Sequence, residues 1–133
     1  MPSQQLNSIE FEISEGQFKH SQHEADGIVF ATNTGVMDLD SAHKLVETLR
    51  NTHRNSGATY PMLLDVQALD EATVEARKIW TDNLLGKDSP FTKLAVVGGS
   101  FWIRTLANMY ARIASIPMKL FKTNEEALTW LKA

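Results

Sequence analysis

Polar and apolar residues alternate near the start of the chain, where Ile9, Phe11 and Ile13 are separated by Glu10 and Glu12. That period of two predicts a half-exposed strand. Ile28 to Thr32, rich in β-branched and aromatic residues, predicts another. Phe18 to Glu24 reads as a polar strand between them, turned into the next by Asp26-Gly27. An N-terminal antiparallel meander is therefore expected. After Gly35 the period changes to 3.6. Leu39, Ala42, Leu45, Val46 and Leu49 share one helical face, with Asp38 or Asp40 as the cap and an end near Asn55 to Gly57.

Beyond Pro61, Met62-Leu63-Leu64-Asp65-Val66 suits a central strand buried on both faces, and Leu94-Ala95-Val96-Val97 suits a second. Between them Asp70 is placed to cap a helix whose Ala72, Ala76, Ile79, Trp80 and Leu84 share a face, stopped by Gly86 and Pro90. Gly98-Gly99-Ser100 opens a third helix running to about Ser115. Pro117 breaks it, and Met118 to Phe121 makes a last strand. Thr123 and Glu126 have capping-box spacing at the start of a final helix that turns Ala127, Leu128 and Leu131 inward. Strands separated by helices require parallel crossovers. The expected fold class is α/β: a mixed, largely parallel sheet with helices packed against it and antiparallel strands at the N-terminus. No linker, repeat or low-complexity tract interrupts the 133 residues, so 1–133 reads as a single domain.

Composition narrows the class without naming an activity. Hydrophobic residues make up 43% and charged residues 22%, as in ordinary folded domains rather than disordered chains. With no Cys there is neither a disulfide nor a thiolate zinc site, and a reducing, cytoplasmic location is the natural expectation. Met1-Pro2-Ser3-Gln4-Gln5 lacks the features of a signal peptide, and no run reaches the roughly 18 apolar residues of a membrane span.

Charge is sorted along the chain. Residues 1–75 carry four bases and twelve acids, net −8, whereas residues 76–133 carry nine bases and four acids, net +5. Ser89 to Thr123 contains no acid, and its Lys93, Arg104, Arg112, Lys119 and Lys122 are interleaved with Phe91, Phe101, Trp102, Tyr110 and Phe121. Such a segment suits a phosphate, anionic head groups at a membrane periphery, or simply a solvated basic face. The acidic total and the lack of a reading motif argue against nucleic acid.

The third helix carries the strongest functional signal. At 100° per residue its apolar residues fill an arc of about 220°, twice what a helix lying on a sheet needs. Neighbouring helices, a partner subunit, an apolar ligand or a membrane surface are the candidate covers. Trp102, Met109, Tyr110 and Ile113 are the candidate interface residues, in a homodimer or with a regulatory protein. Gly99, Ser100, Trp102, Arg104 and Asn108 form a candidate ligand site, because a helix start offers free amides and the positive end of a dipole. A Gly-Gly turn with a Ser cap also serves purely structural ends.

No catalytic residue is assigned. Asp65, Asp70 and Glu71 fall at the ligand edge of a parallel sheet and suit acid–base work, yet no nucleophile elbow or His accompanies them, and capping explains them equally. His20 and His23 point to opposite faces of a strand. His43 pairs only with Glu47, and His53 stands ten residues from His43, so no metal or cofactor is expected. A non-enzymatic role is expected, with a hydrolase-type activity as the lesser alternative.

Four segments carry a family resemblance: Glu75-Ala76-Arg77-Lys78-Ile79-Trp80, Leu94-Ala95-Val96-Val97, Arg104-Thr105-Leu106-Ala107-Asn108-Met109-Tyr110, and Pro117 to Leu131. The last contains Phe-x-x-x-x-x-Ala-Leu-x-Trp-Leu. Together they resemble the bacterial SpoIIAA-like proteins, which are similar to the STAS domain of anti-sigma factor antagonists and to the lipid-carrying CRAL-TRIO fold. The resemblance implies a sheet faced by helices and one of two functions: a regulatory module acting through protein–protein contact, or a carrier or sensor of a lipid-like small molecule. In STAS antagonists a kinase phosphorylates a Ser at the start of the helix after the central strand, and the added charge switches partner binding. Here Glu71 stands in that region, and Thr73 is the candidate acceptor.

Overall fold

The computed structural model describes residues 10–133, so Ile9 of the alternating pattern lies outside the described residues. Three antiparallel strands come first: β1 (Phe11–Glu15), β2 (Phe18–Ala25) and β3 (Ile28–Met37). Helix α1 (Leu39–Ser56) leads to β4 (Tyr60–Asp65) and a short β5 (Leu69–Ala72). Then follow α2 (Val74–Leu84), β6 (Phe91–Val97), α3 (Phe101–Ile113), β7 (Met118–Phe121) and α4 (Asn124–Lys132). The sheet order is β1-β2-β3-β4-β6-β7, with β3–β4, β4–β6 and β6–β7 all parallel.

This is the expected mixed, largely parallel sheet with one addition. Asp70 does not cap a helix. It lies in β5, and the cap of α2 is Thr73, whose hydroxyl accepts from the amide of Ala76 at 3.2 Å. The extra strand exists because β3 runs past Thr32 to Met37 and pairs in parallel with Leu69–Ala72. Gly35 permits this extension through a bulge. Its φ is +81°, and a Cβ there would sit 1.8 Å from the backbone oxygen of Gln17.

Caps account for the helix boundaries. Asp38 and Ser41 form a reciprocal box at α1, and Gly57 closes that helix in the left-handed conformation. Thr123 accepts from the Glu126 amide as expected, but the Glu126 carboxylate takes the Thr123 hydroxyl instead of the cap amide. Along α1 the apolar stripe Ala42, Leu45, Val46 and Leu49 is buried, while Leu39 stays exposed at the first turn.

Two cores result. Met62, Leu64, Leu94 and Val96 turn to the face covered by α1, α2 and α3, whereas Leu63, Ala95 and Val97 meet Phe121, Ala127 and Leu131 under α4. The apolar runs of β4 and β6 are thus buried on both faces, as their composition requires.

Candidate functional site

Helix α3 begins where Ser100 accepts from the amide of Ile103 at 3.2 Å. Gly98 precedes it with φ +81°, and a Cβ there would meet Gln67 Cγ at 2.1 Å, so the packing of Gln67 requires the glycine. Arg104 folds back, and its Nη1 donates to the carbonyl oxygens of Gly98 and Phe121, both at 3.2 Å. The guanidinium therefore ties the β6–α3 turn to the end of β7. Of the five candidate ligand residues, Gly99, Ser100 and Arg104 cluster at this turn in mutual support. Trp102 and Asn108 face outward.

Only part of the wide apolar arc is covered. Ile103 and Leu106 are buried and Tyr110 is half-buried, but Phe101 is 86% exposed, Ile113 70%, Met109 56% and Trp102 55%. At 100° per residue these four fall within about 120° of arc, on the side of α3 away from the sheet. Three of the four candidate interface residues, Trp102, Met109 and Ile113, thus share one exposed stripe. The fourth, Tyr110, turns inward, and its hydroxyl receives a hydrogen bond from Arg77 Nη1 at 3.3 Å.

That bond spans a cleft between α2 and α3 with a volume of about 80 Å³, open on one side. The sheet floors it with Leu64, Val66 and Val96, and Trp80 and Ala107 stand on opposite walls. Arg77, Thr81, Asn33, Tyr110 and the Trp80 indole bring polar atoms to the lining residues, but the surface that faces the cleft is almost wholly apolar. None of the five candidate ligand residues, Gly99, Ser100, Trp102, Arg104 and Asn108, lines it. Sequence reasoning missed this cleft because its walls come from β3, α2 and α3, brought together only by the crossovers.

A buried polar cluster adjoins the cleft through Asn33. His20, Gln22 and Asn33 are all buried. His20 Nδ1 meets Asn33 Oδ1, and His20 Nε2 meets Gln22 Oε1 at 2.7 Å. Burial lowers the His20 pKa, and the two amides oppose that shift. Burial pushes the Tyr60 phenol up to about 12. Gln22 lies close enough to pull it slightly back, although the hydroxyl forms no hydrogen bond of normal geometry. The polar reading of β2 overlooked that its inward residues would be these amides and this imidazole. His23 faces outward and stacks on Phe30, as the strand period requires.

The remaining candidates are dispersed. Asp65 accepts from the amide of Gln67 at 2.9 Å, while Asp70 and Glu71 are exposed on β5. His43 and Glu47 are exposed on α1, and among the described residues no group of three metal-ligating side chains forms. The acid-free segment is not one basic patch. Lys93 lies 5.2 Å from the Trp130 ring centroid and Lys119 lies 5.6 Å from that of Phe121, both on the α4 side of the sheet, opposite the arginines of α3. Among the described residues no helix is long and apolar enough to cross a membrane.

Residues 22–133 match the model of a family described as a domain of unknown function, DUF7793. The chain belongs to this family. No curated protein matches it. Among solved structures, this DUF7793 chain is similar to an uncharacterized DUF3478 protein with a SpoIIAA-like fold from Shewanella loihica PV-4. The TM-score is 0.65 and the identity 14%, over 90% of this chain and 98% of that one. It is also similar to an anti-sigma factor antagonist from Mycobacterium paratuberculosis, with a TM-score of 0.61 and 18% identity over 91% and 100% of the two chains. Unphosphorylated SpoIIAA, an anti-sigma factor antagonist, aligns with a TM-score of 0.56 and 10% identity over 86% and 98%. At these identities the likeness is one of fold: this DUF7793 member has the SpoIIAA-like, STAS-type architecture that its sequence resembles.

Proposed function

We propose that this chain is a non-enzymatic, cytoplasmic STAS-type regulatory module that works by docking a protein on the exposed face of α3, with a second copy of itself as the first partner. The exposure of Phe101, Trp102, Met109 and Ile113 along one stripe carries the reading. Four large apolar side chains on one helix face are more than scattered surface hydrophobes, and covering them recovers roughly 25 cal/mol per Å² of apolar area. The anti-sigma factor antagonists that share the fold support a role in protein contact. Native mass spectrometry of the purified chain and of Trp102→Asp tests it. A dimer that becomes monomeric in a folded variant is expected, and a monomer at every concentration with no captured protein sinks the proposal.

Within the same reading Thr73 is the candidate phosphoacceptor. It caps α2, where a phosphate gains from the helix dipole, and Arg77 follows one turn later. Treatment with a cell extract and ATP followed by intact-mass measurement tests this assignment. An 80 Da shift that disappears in Thr73→Val is expected, and no shift, or one that persists in the variant, removes Thr73 as the acceptor. The lipid-carrier alternative receives little support from the cleft. At about 80 Å³ it is smaller than the roughly 150 Å³ cavity that accommodates a single benzene.

A further inference from the structure

The exposed stripe of α3 is ordered across its width as well as along its length. At about 100° per residue, Phe101 and Arg112 lie along one edge, Trp102 and Ile113 along the other, and Thr105 and Met109 between them. Each edge thus joins a residue of the first turn to one of the last. Arg112 is exposed among these apolar side chains, and among the described residues its guanidinium has neither a hydrogen bond nor an ion pair. No acid stands on α3, nor anywhere from Ser89 to Thr123, so the stripe carries one uncompensated kind of charge.

We propose that a second copy covers this stripe with the two α3 helices antiparallel, about a two-fold axis that crosses between Thr105 and Met109. This pairing rests on α3 being the docking face. Such an axis exchanges the helix ends and keeps the edges. Each Arg112 then falls on the partner's Phe101, each Trp102 on the partner's Ile113, and each Met109 on the partner's Thr105. The lone guanidinium gains an aromatic face, and aromatic meets aliphatic on the other edge. The two Arg112 positions stand roughly 15 Å apart along the helices, beyond the Debye length of about 8 Å in physiological salt. Parallel helices would instead set Arg112 against Arg112 with no acid to relieve them. The four exposed apolar side chains offer on the order of 500 Å² per copy, and about 1,000 Å² over two copies reaches what a specific interface needs.

Because the chain has no Cys, introduced thiols report the pairing directly. Each variant is read at concentrations where native mass spectrometry shows a dimer. Thr105→Cys, close to the axis, is expected to cross-link to its own copy through a short bismaleimide. Ile113→Cys, at the far end, is expected not to, and a mixture of Ile113→Cys with Trp102→Cys is expected to cross-link across the edge. Arg112→Ala should weaken the dimer about 5- to 30-fold through the loss of two cation–π contacts, whereas parallel helices predict a tighter dimer. A tighter or unchanged Arg112→Ala dimer, self-linked Ile113→Cys, or a Thr105→Cys dimer that does not link overturns the pairing and leaves the docking face standing. A parent chain that stays monomeric also overturns the pairing, and the docking face falls with it when no other protein is captured.

Discussion

His20 and Asn33 are register partners across the β2–β3 ladder, and the imidazole Nδ1 meets the amide Oδ1 inside the core. The other ring nitrogen meets Gln22, so the ring is held at both ends by amides. A neutral imidazole donates at one nitrogen and accepts at the other, so one of the two amides turns its NH₂ to the ring when His20 is neutral. Burial favours that neutral form, whose amide pairing leaves no charge in the core.

Stability should therefore depend on pH through His20. With its folded pKa below the ordinary 6.5, the unfolded chain takes up a proton first as pH falls. The stabilisation is complete above about pH 6.5 and declines as pH drops toward the lowered folded value, with a limiting slope of about 1.4 kcal/mol per pH unit between the two. Urea denaturation between pH 7.5 and pH 5 should show this slope. His20→Gln should flatten it, and a flat profile in the parent chain would refute the account.

Tyr60 places its hydroxyl in the same interior without a hydrogen bond of normal geometry. Removing an unsatisfied buried hydroxyl also removes its desolvation cost. Tyr60→Phe is expected to leave stability unchanged or to raise it by up to about 1 kcal/mol. A loss above that size in equilibrium unfolding would show that Gln22 binds the hydroxyl firmly.

The two sides of α3 should respond differently to substitution. Met109→Asp lies on the exposed stripe and, at protein concentrations low enough to keep the chain monomeric, should change stability by no more than about 0.5 kcal/mol, whereas Ile103→Ala on the covered side should cost about 2 to 5 kcal/mol. Thermal and urea unfolding separate them. A strongly destabilising Met109→Asp would mean that the stripe packs within the domain.

Gly35→Ala should destabilise more than an ordinary glycine replacement, by about 2 kcal/mol or more, because both the positive φ and the Gln17 carbonyl oppose a Cβ. Loss of the β5 amide bonds in hydrogen exchange should accompany it. Replacement at Gly27, where no atom lies within 4 Å of the added Cβ, is the control for backbone strain alone.

What could be read from the sequence was whatever rested on local periodicity. The apolar runs of β4 and β6 announced burial on both faces, α3 announced an arc too wide for one contact, and Pro117 and Thr123 marked their boundaries. β5 escaped because four residues with two central acids look like a helix start, and only the extension of β3 past Gly35 gives them a partner. His20, Gln22 and Asn33 escaped for a related reason. Their polarity suggests exposure, and only the pairing of β2 with β3 shows that they satisfy one another inside. At the candidate site, the exposure of Trp102, Met109 and Ile113 followed from the arc, but the inward turn of Tyr110 depended on Arg77, 33 residues away.

Strand β3 serves two parallel neighbours in succession: β4 against Val29 to Thr32, then β5 against Gly35 to Met37. The second partnership is short and lies off the path of the main sheet. β5 thus hands the chain from the sheet edge to α2, and α2 is held from the other side, by α1, through buried Ala76 and Leu84 and through Arg50 Nη1, which donates to the Asn83 carbonyl oxygen. The opposite wall of the cleft, α3, is anchored to the turn after β6 and the end of β7 through Arg104. Both walls are therefore fixed by contacts outside the cleft, so its width is a property of the whole fold and not of any residue that lines it.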